Sequence, residues 1–149
     1  IALIDTGVDL DHEDLVAKLL PGWDAVYNDF FPEDDHGHGT WVTGVAGAST
    51  NNSRGVAGTC PNCMLLPVKG GFIYNGQPTF TANTVYKALE FAVNNPRGVE
   101  GIPSNPYVAD AISMSFVFTS DSSLLHQGIT DAYNAGAVLF AGVVNNQPD

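Results

Sequence analysis

Residues 1–5 read "IALID", four apolar residues closed by an aspartate, and that short stretch sets the fold. An apolar run of four is too short for a helix and has no polar alternation, which suits a strand buried on both faces of a sheet. Three more runs have the same character: "MLLPV" (64–68), "AISMSF" (111–116) and "AVLFAGVV" (137–144). Helical patterns lie between them. "TWVTGVAGA" (40–48) is rich in small residues and suits close packing on a sheet. "TANTVYKALEFAVNN" (81–95) puts Val85, Leu89 and Ala92 or Val93 on one face. "SSLLHQGITDAYNAG" (122–136) does the same with Leu125, Ile129 and Ala132; Ser122 or Ser123 is its N-cap and Gly136 follows its end. Wholly apolar strands alternating with helices predict an α/β domain, a mostly parallel sheet with helices on both faces. Residues 95–107, "NPRGVEGIPSNPY", read as a surface excursion.

Ligands of an open parallel sheet bind outside the carboxyl ends of its strands. Asp5 directly follows the first strand, Ser115 closes "AISMS", Asn145 and Asn146 follow the last, and His38 precedes the helix expected near Thr40. Polar groups from distant parts of the chain thus converge on one edge. A carboxylate, an imidazole and an amide there suit acyl transfer to a hydroxyl nucleophile. The carboxylate orients the imidazole, the imidazole takes the hydroxyl proton, and the amide donates to the oxyanion.

Composition removes other classes. A formal charge of -11 over 149 residues repels nucleic acid and anionic membrane surfaces. No apolar run is long enough to span a bilayer, and no signal-peptide pattern is present. A nucleotide-binding domain would need a Gly-rich fingerprint after the first strand, and none is there. The cysteines stand as "CPNC", Cys60 and Cys63, either a small disulfide loop or two free thiols; a zinc site would want a second pair. The chain opens on an apolar strand residue, Ile1, with no lead-in, so a piece of something longer is expected.

Taken together, "IALIDTGVDLDHEDL", "HGHGTWVTGVAG", "NNSRGVAGTCPNC", "AISMSF" and "AVLFAGVVNN" resemble the subtilisin-like serine proteases, in that family's order and over nearly the whole chain. The resemblance implies a three-layer α/β fold, incomplete here, with residues 1–149 as part of a peptidase domain. It makes Asp5 the triad acid, His38 the general base and Asn145 the oxyanion donor; in subtilisin itself such an asparagine is worth roughly 10²–10³ in kcat. It places peptide or protein substrate as an added strand beside Ser115, Phe116 and Val117 and beside Gly70 and Gly71. It also implies a structural Ca²⁺ held by Asp14 and Asn52 side chains and the carbonyls of Thr50, Arg54 and Val56, hard oxygen donors of the kind calcium takes. A secreted monomer with a propeptide upstream is the expectation that goes with it.

The match also departs from the family. No Gly-Thr-Ser segment exists in these residues, so the nucleophile is expected downstream of Asp149 and this chain alone is expected to be inactive. Trp41 stands in place of a second histidine, Val117 in place of a glycine that floors the specificity pocket, and Val143-Val144 in place of Ala-Gly. Two alternatives follow: a non-catalytic peptide-binding homologue, or a zinc hydrolase using His36 and His38 with Asp34 and Asp35.

Overall fold

The computed structural model describes residues 1–143. Five short strands form one parallel sheet: β1 (Ala2–Asp5), β2 (Trp23–Asp24), β3 (Leu66–Lys69), β6 (Ala111–Met114) and β7 (Val138–Ala141), in the order β2-β3-β1-β6-β7. β1 is central, paired to β3 on one side and β6 on the other. The chain therefore leaves β1 in opposite directions along the sheet. The crevice at its carboxyl end, where Asp5 is the last strand residue, is the topological switch point.

Alternation along β1 sorts its side chains between two cores. Ala2 and Ile4 join Leu66, Val68 and Ile112 under helices α2 (Ala82–Ala92) and α3 (Ser123–Asn134). Leu3 joins Leu15, Ala48 and Leu65 on the opposite face, packed against Val42 and Ala46 of α1 (His38–Gly47). By the same alternation Asp5 faces α1, the helix that begins with His38. Strand pleat thus puts Asp5 on the side of the sheet where His38 begins α1.

The helices follow their end signals. Thr81 and Thr84 make a reciprocal capping box on α2, and the Ser122 side chain caps α3. Gly136 takes φ 95° just past α3, a conformation that glycine adopts without penalty. α2 and α3 lie close because Gly128 has no side chain; a Cβ there would press on Tyr86 and Leu89.

Several expectations need correction. The helix expected near Thr40 starts at His38. Ile129 is 42% exposed, and Gly128 and Asp131 take the buried positions of α3 instead. The run 64–68 enters its ladder only at Leu66; Met64 is exposed and its carbonyl accepts from the Ile1 amino group at 2.9 Å. β7 is not buried on both faces. Val138 and Phe140 are 57% and 61% exposed, because α1 covers β1 and does not reach that end of the sheet. Three strands were not expected at all: the two-residue β2, and β4 (Gly71–Tyr74) and β5 (Gln77–Phe80), which pair as an antiparallel hairpin. The hairpin turns on Asn75-Gly76, both at positive φ. Asn-Gly between apolar segments is the sequence signal for such a turn.

Candidate active site at the end of the central strand

His38 opens α1 in a conformation set by two glycines. Gly37, the N-cap, sits at φ 99°. Gly39 packs so close to the backbone of Gly7, just past β1, that any Cβ would collide with the Gly7 carbonyl. This approach brings the imidazole to the strand end, where Nδ1 lies 2.7 Å from Asp5 Oδ1. An ionised carboxylate only accepts hydrogen bonds, so Nδ1 carries the proton and Nε2 is left with its lone pair. The Asp5 side chain is 2% exposed and that of His38 is 35% exposed, an inner carboxylate and an outer imidazole. Burial pushes the Asp5 carboxyl up from its ordinary value, opposed by the hydrogen bonds from His38 and from the Thr6 amide. Its second oxygen is buried without a partner.

Around the pair lies a scaffold the sequence reading did not foresee. Asp34 accepts on Oδ1 from the Thr6 hydroxyl (2.8 Å) and the amides of His36 (3.0 Å) and Gly37 (2.9 Å). On Oδ2 it accepts from the Thr40 amide (2.8 Å) and hydroxyl (2.6 Å). Burial alone would raise its carboxyl; these donors overcome that and lower it to about 2. Lys69, buried at the end of β3, donates to the Glu33 carbonyl at 2.9 Å and pairs with Asp35 at 2.9 Å, fixing the segment that carries Asp34. A carboxylate just ahead of a helix whose N-cap is glycine was the available signal.

The zinc alternative fails on this geometry. His38 Nδ1 is engaged by Asp5, His36 is exposed with its ring 6.4 Å away, and among the described residues no group of three or more His, Cys, Asp or Glu side chains could hold a metal ion.

The two segments expected to line substrate are bridged by Phe80. Gly71, the first residue of β4, lies under the Phe80 ring, and Phe80 stacks on Phe116 with centroids 4.0 Å apart. Gly70 is buried beside Ile4, while Ser115 and Val117 are exposed. Phe116 and Val117 line an apolar cavity of about 640 Å³ with Val85, Leu89, Leu125 and Val143. Ser115 faces a separate groove beside Trp41 and Val45 of α1. Asn145 and Asn146 lie outside the described residues.

Of the residues expected to hold calcium, Asp14, Asn52 and Val56 come together. Asp14 is buried, and the loop bearing Asn52, Arg54 and Val56 wraps it: Asn52 Nδ2 is 2.5 Å from Oδ1 and the Val56 amide donates to Oδ2 at 3.0 Å. A Cβ on Gly55 would strike the Asp14 carboxylate, so the cradle closes tightly over it. No cationic side chain pairs with Asp14 among the described residues. A buried carboxylate without a paired cation and an amide whose oxygen reaches it on a flip are donors of the kind Ca²⁺ takes. Nearby, Lys18 donates to the carbonyls of Gly47 (2.5 Å), the last residue of α1, and Cys60 (3.1 Å). Cys60 is disulfide-bonded to Cys63, which resolves the two open readings of that pair.

The subtilase family model matches residues 1–148. The chain belongs to the subtilase family. It is 38% identical over 145 residues to thermitase of Thermoactinomyces vulgaris, covering 97% of this chain and 47% of thermitase. It is 36% identical to a thermophilic serine proteinase of a Bacillus species over 98% of this chain and 33% of that relative. The solved structure of a psychrophilic protease superposes with a TM-score of 0.82 at 26% identity, over 99% of this chain and 46% of that one. The chain thus spans between a third and a half of the length of these subtilases. Other relatives are named for extracellular and for intracellular proteases alike. No helix among the described residues is long and apolar enough to cross a membrane.

Proposed function

We propose that this chain supplies the acid and the base of a serine endopeptidase triad. The carrying observation is the 2.7 Å contact between His38 Nδ1 and Asp5 Oδ1 at the switch point of a subtilase sheet. Asp5 holds the imidazole in the tautomer that leaves Nε2 free. Nε2 takes the proton of a serine hydroxyl as it attacks the peptide carbonyl, then returns it to the leaving amine. The buried carboxylate favours the imidazolium formed between those steps, and its burial makes the interaction stronger than it would be in water. The serine belongs downstream of Asp149, and Asn145 serves as oxyanion donor.

Substrate lies as a strand along Ser115-Phe116-Val117 and Gly70-Gly71, with the Phe80–Phe116 stack beside it. Ca²⁺ on Asp14, Asn52 and the carbonyls of Thr50, Arg54 and Val56 supplies a fixed positive charge that neutralises Asp14 and locks the 50–56 loop. The enzyme is a secreted monomer matured from a propeptide; the Cys60–Cys63 bridge supports an oxidising compartment.

A fluorophosphonate that captures activated serines tests the assignment. Residues 1–149 alone remain unlabelled, and a longer product is labelled within a Gly-Thr-Ser segment. Stoichiometric labelling of Ser115 would make this strand the nucleophile and overturn the reading.

A further inference from the structure

We propose that Asp34 is the positioning residue of the base: it fastens the first turn of α1 to the end of β1 and thereby keeps His38 on Asp5. The network runs through backbone on both sides of the histidine. Before it, the Gly37 amide donates to Asp34 Oδ1. After it, the Gly39 amide donates to Thr6 Oγ1 at 3.0 Å, and that same hydroxyl donates to Asp34. One turn on, Thr40 gives both its donors to Asp34 Oδ2, and its hydroxyl accepts the Asp9 amide at 2.9 Å. Thr6 and Asp5 are neighbours in sequence, so every link to Asp34 starts within one residue of the acid or two of the base.

Gly37 cannot cap α1 with a side chain, and no cap bond from it exists. The first-turn amides must be satisfied from elsewhere. Asp34 does so for Thr40 and Thr6 for Gly39. A neutral or shorter residue at 34 frees the helix N-terminus to fray, and fraying moves His38 first, because His38 is the first helical residue.

The inference uses the protease reading only for its consequence, since the geometry exists without a nucleophile. Its test is read on the imidazole itself. In ¹⁵N-labelled protein the His38 Nδ1 proton, hydrogen-bonded to Asp5, gives a low-field resonance. Asp34→Asn loses that resonance through exchange while amide dispersion shows the fold intact. Thr40→Val, which removes one donor to Oδ2 and keeps the residue's shape, speeds the exchange of the same proton. A residue that only stabilised the fold would lower the melting temperature and leave the resonance of folded molecules in place. Persistence of the signal in folded Asp34→Asn overturns the proposal. If that variant does not fold, an unchanged exchange rate in Thr40→Val does so. Should the resonance respond as stated while a longer protein proves unable to hydrolyse peptides, the protease reading fails and the positioning role stands.

Discussion

Asp34 and Glu90 are carboxylates withdrawn from water on opposite faces of one sheet, and their surroundings treat them in opposite ways. Asp34 meets five donors around the N-terminus of α1 and is lowered to about 2. Glu90 is fully buried on α2, and neither of its oxygens has a partner. Burial and the neighbouring Asp131 carboxylate of α3 push it up to about 7. Asp131 keeps its own charge because Arg97 grips it with Nε and Nη2 and Gln127 donates to both of its oxygens. Burial costs a carboxylate its charge unless donors replace the lost water. Near His38 the chain provides those donors; around Glu90 it does not.

The sharpest way to break this contrast is Glu90→Leu. A raised carboxyl favours folding only while protonated, so its penalty grows as pH climbs from about 4.5 to about 7 and is complete above that. The substitution is expected to raise stability by about 3 kcal/mol at pH 9 and to have little effect at pH 4, measured by urea unfolding at both. Equal effects at the two pH values would show that Glu90 is not the titrating group.

Asp34 has the opposite sign. Its lowered carboxyl contributes stability that is present above about pH 4 and is lost as pH falls through about 2. Asp34→Asn is expected to cost about 2 kcal/mol at pH 7 and to lose that deficit below pH 2. A deficit that persisted unchanged in acid would mean the charge does not matter there. Arg97→Ala is the smallest change, a slight loss of stability because the guanidinium is half exposed and screened by solvent. It should also move the Glu90 transition to higher pH, since the remaining cation near two carboxylates is gone.

How legible was each region beforehand? Asp5 and His38 could be read because strand end and helix start are local patterns, and period-two alternation then puts both on one face. Asp34 could not be assigned, since its reach to Thr40 depends on the left-handed turn at Gly37 rather than on any fixed spacing. Glu90 sits in "LEFAV" one residue after Leu89, on the side that α3 covers. The helical period says it turns inward, but only the α2–α3 packing through Gly128 makes that burial complete. β2 is too short to carry a pattern. The β4–β5 hairpin carried one, in Asn75-Gly76, just past the Gly70-Gly71 stretch expected beside substrate. The exposed side of β7 followed from where α1 lies, a tertiary fact that a wholly apolar run does not contain.

The central claim is that Asp5 and His38 form the acid–base half of a serine triad. Its most direct test is peptide hydrolysis by the product of the full coding sequence beside the same protein carrying His38→Ala. A Gly-Thr-Ser nucleophile is expected in that product, and a fall in kcat on the order of 10⁶, the scale known for removal of the base in subtilisin itself. Hydrolysis unchanged by the substitution, or none in the unsubstituted protein, would contradict it.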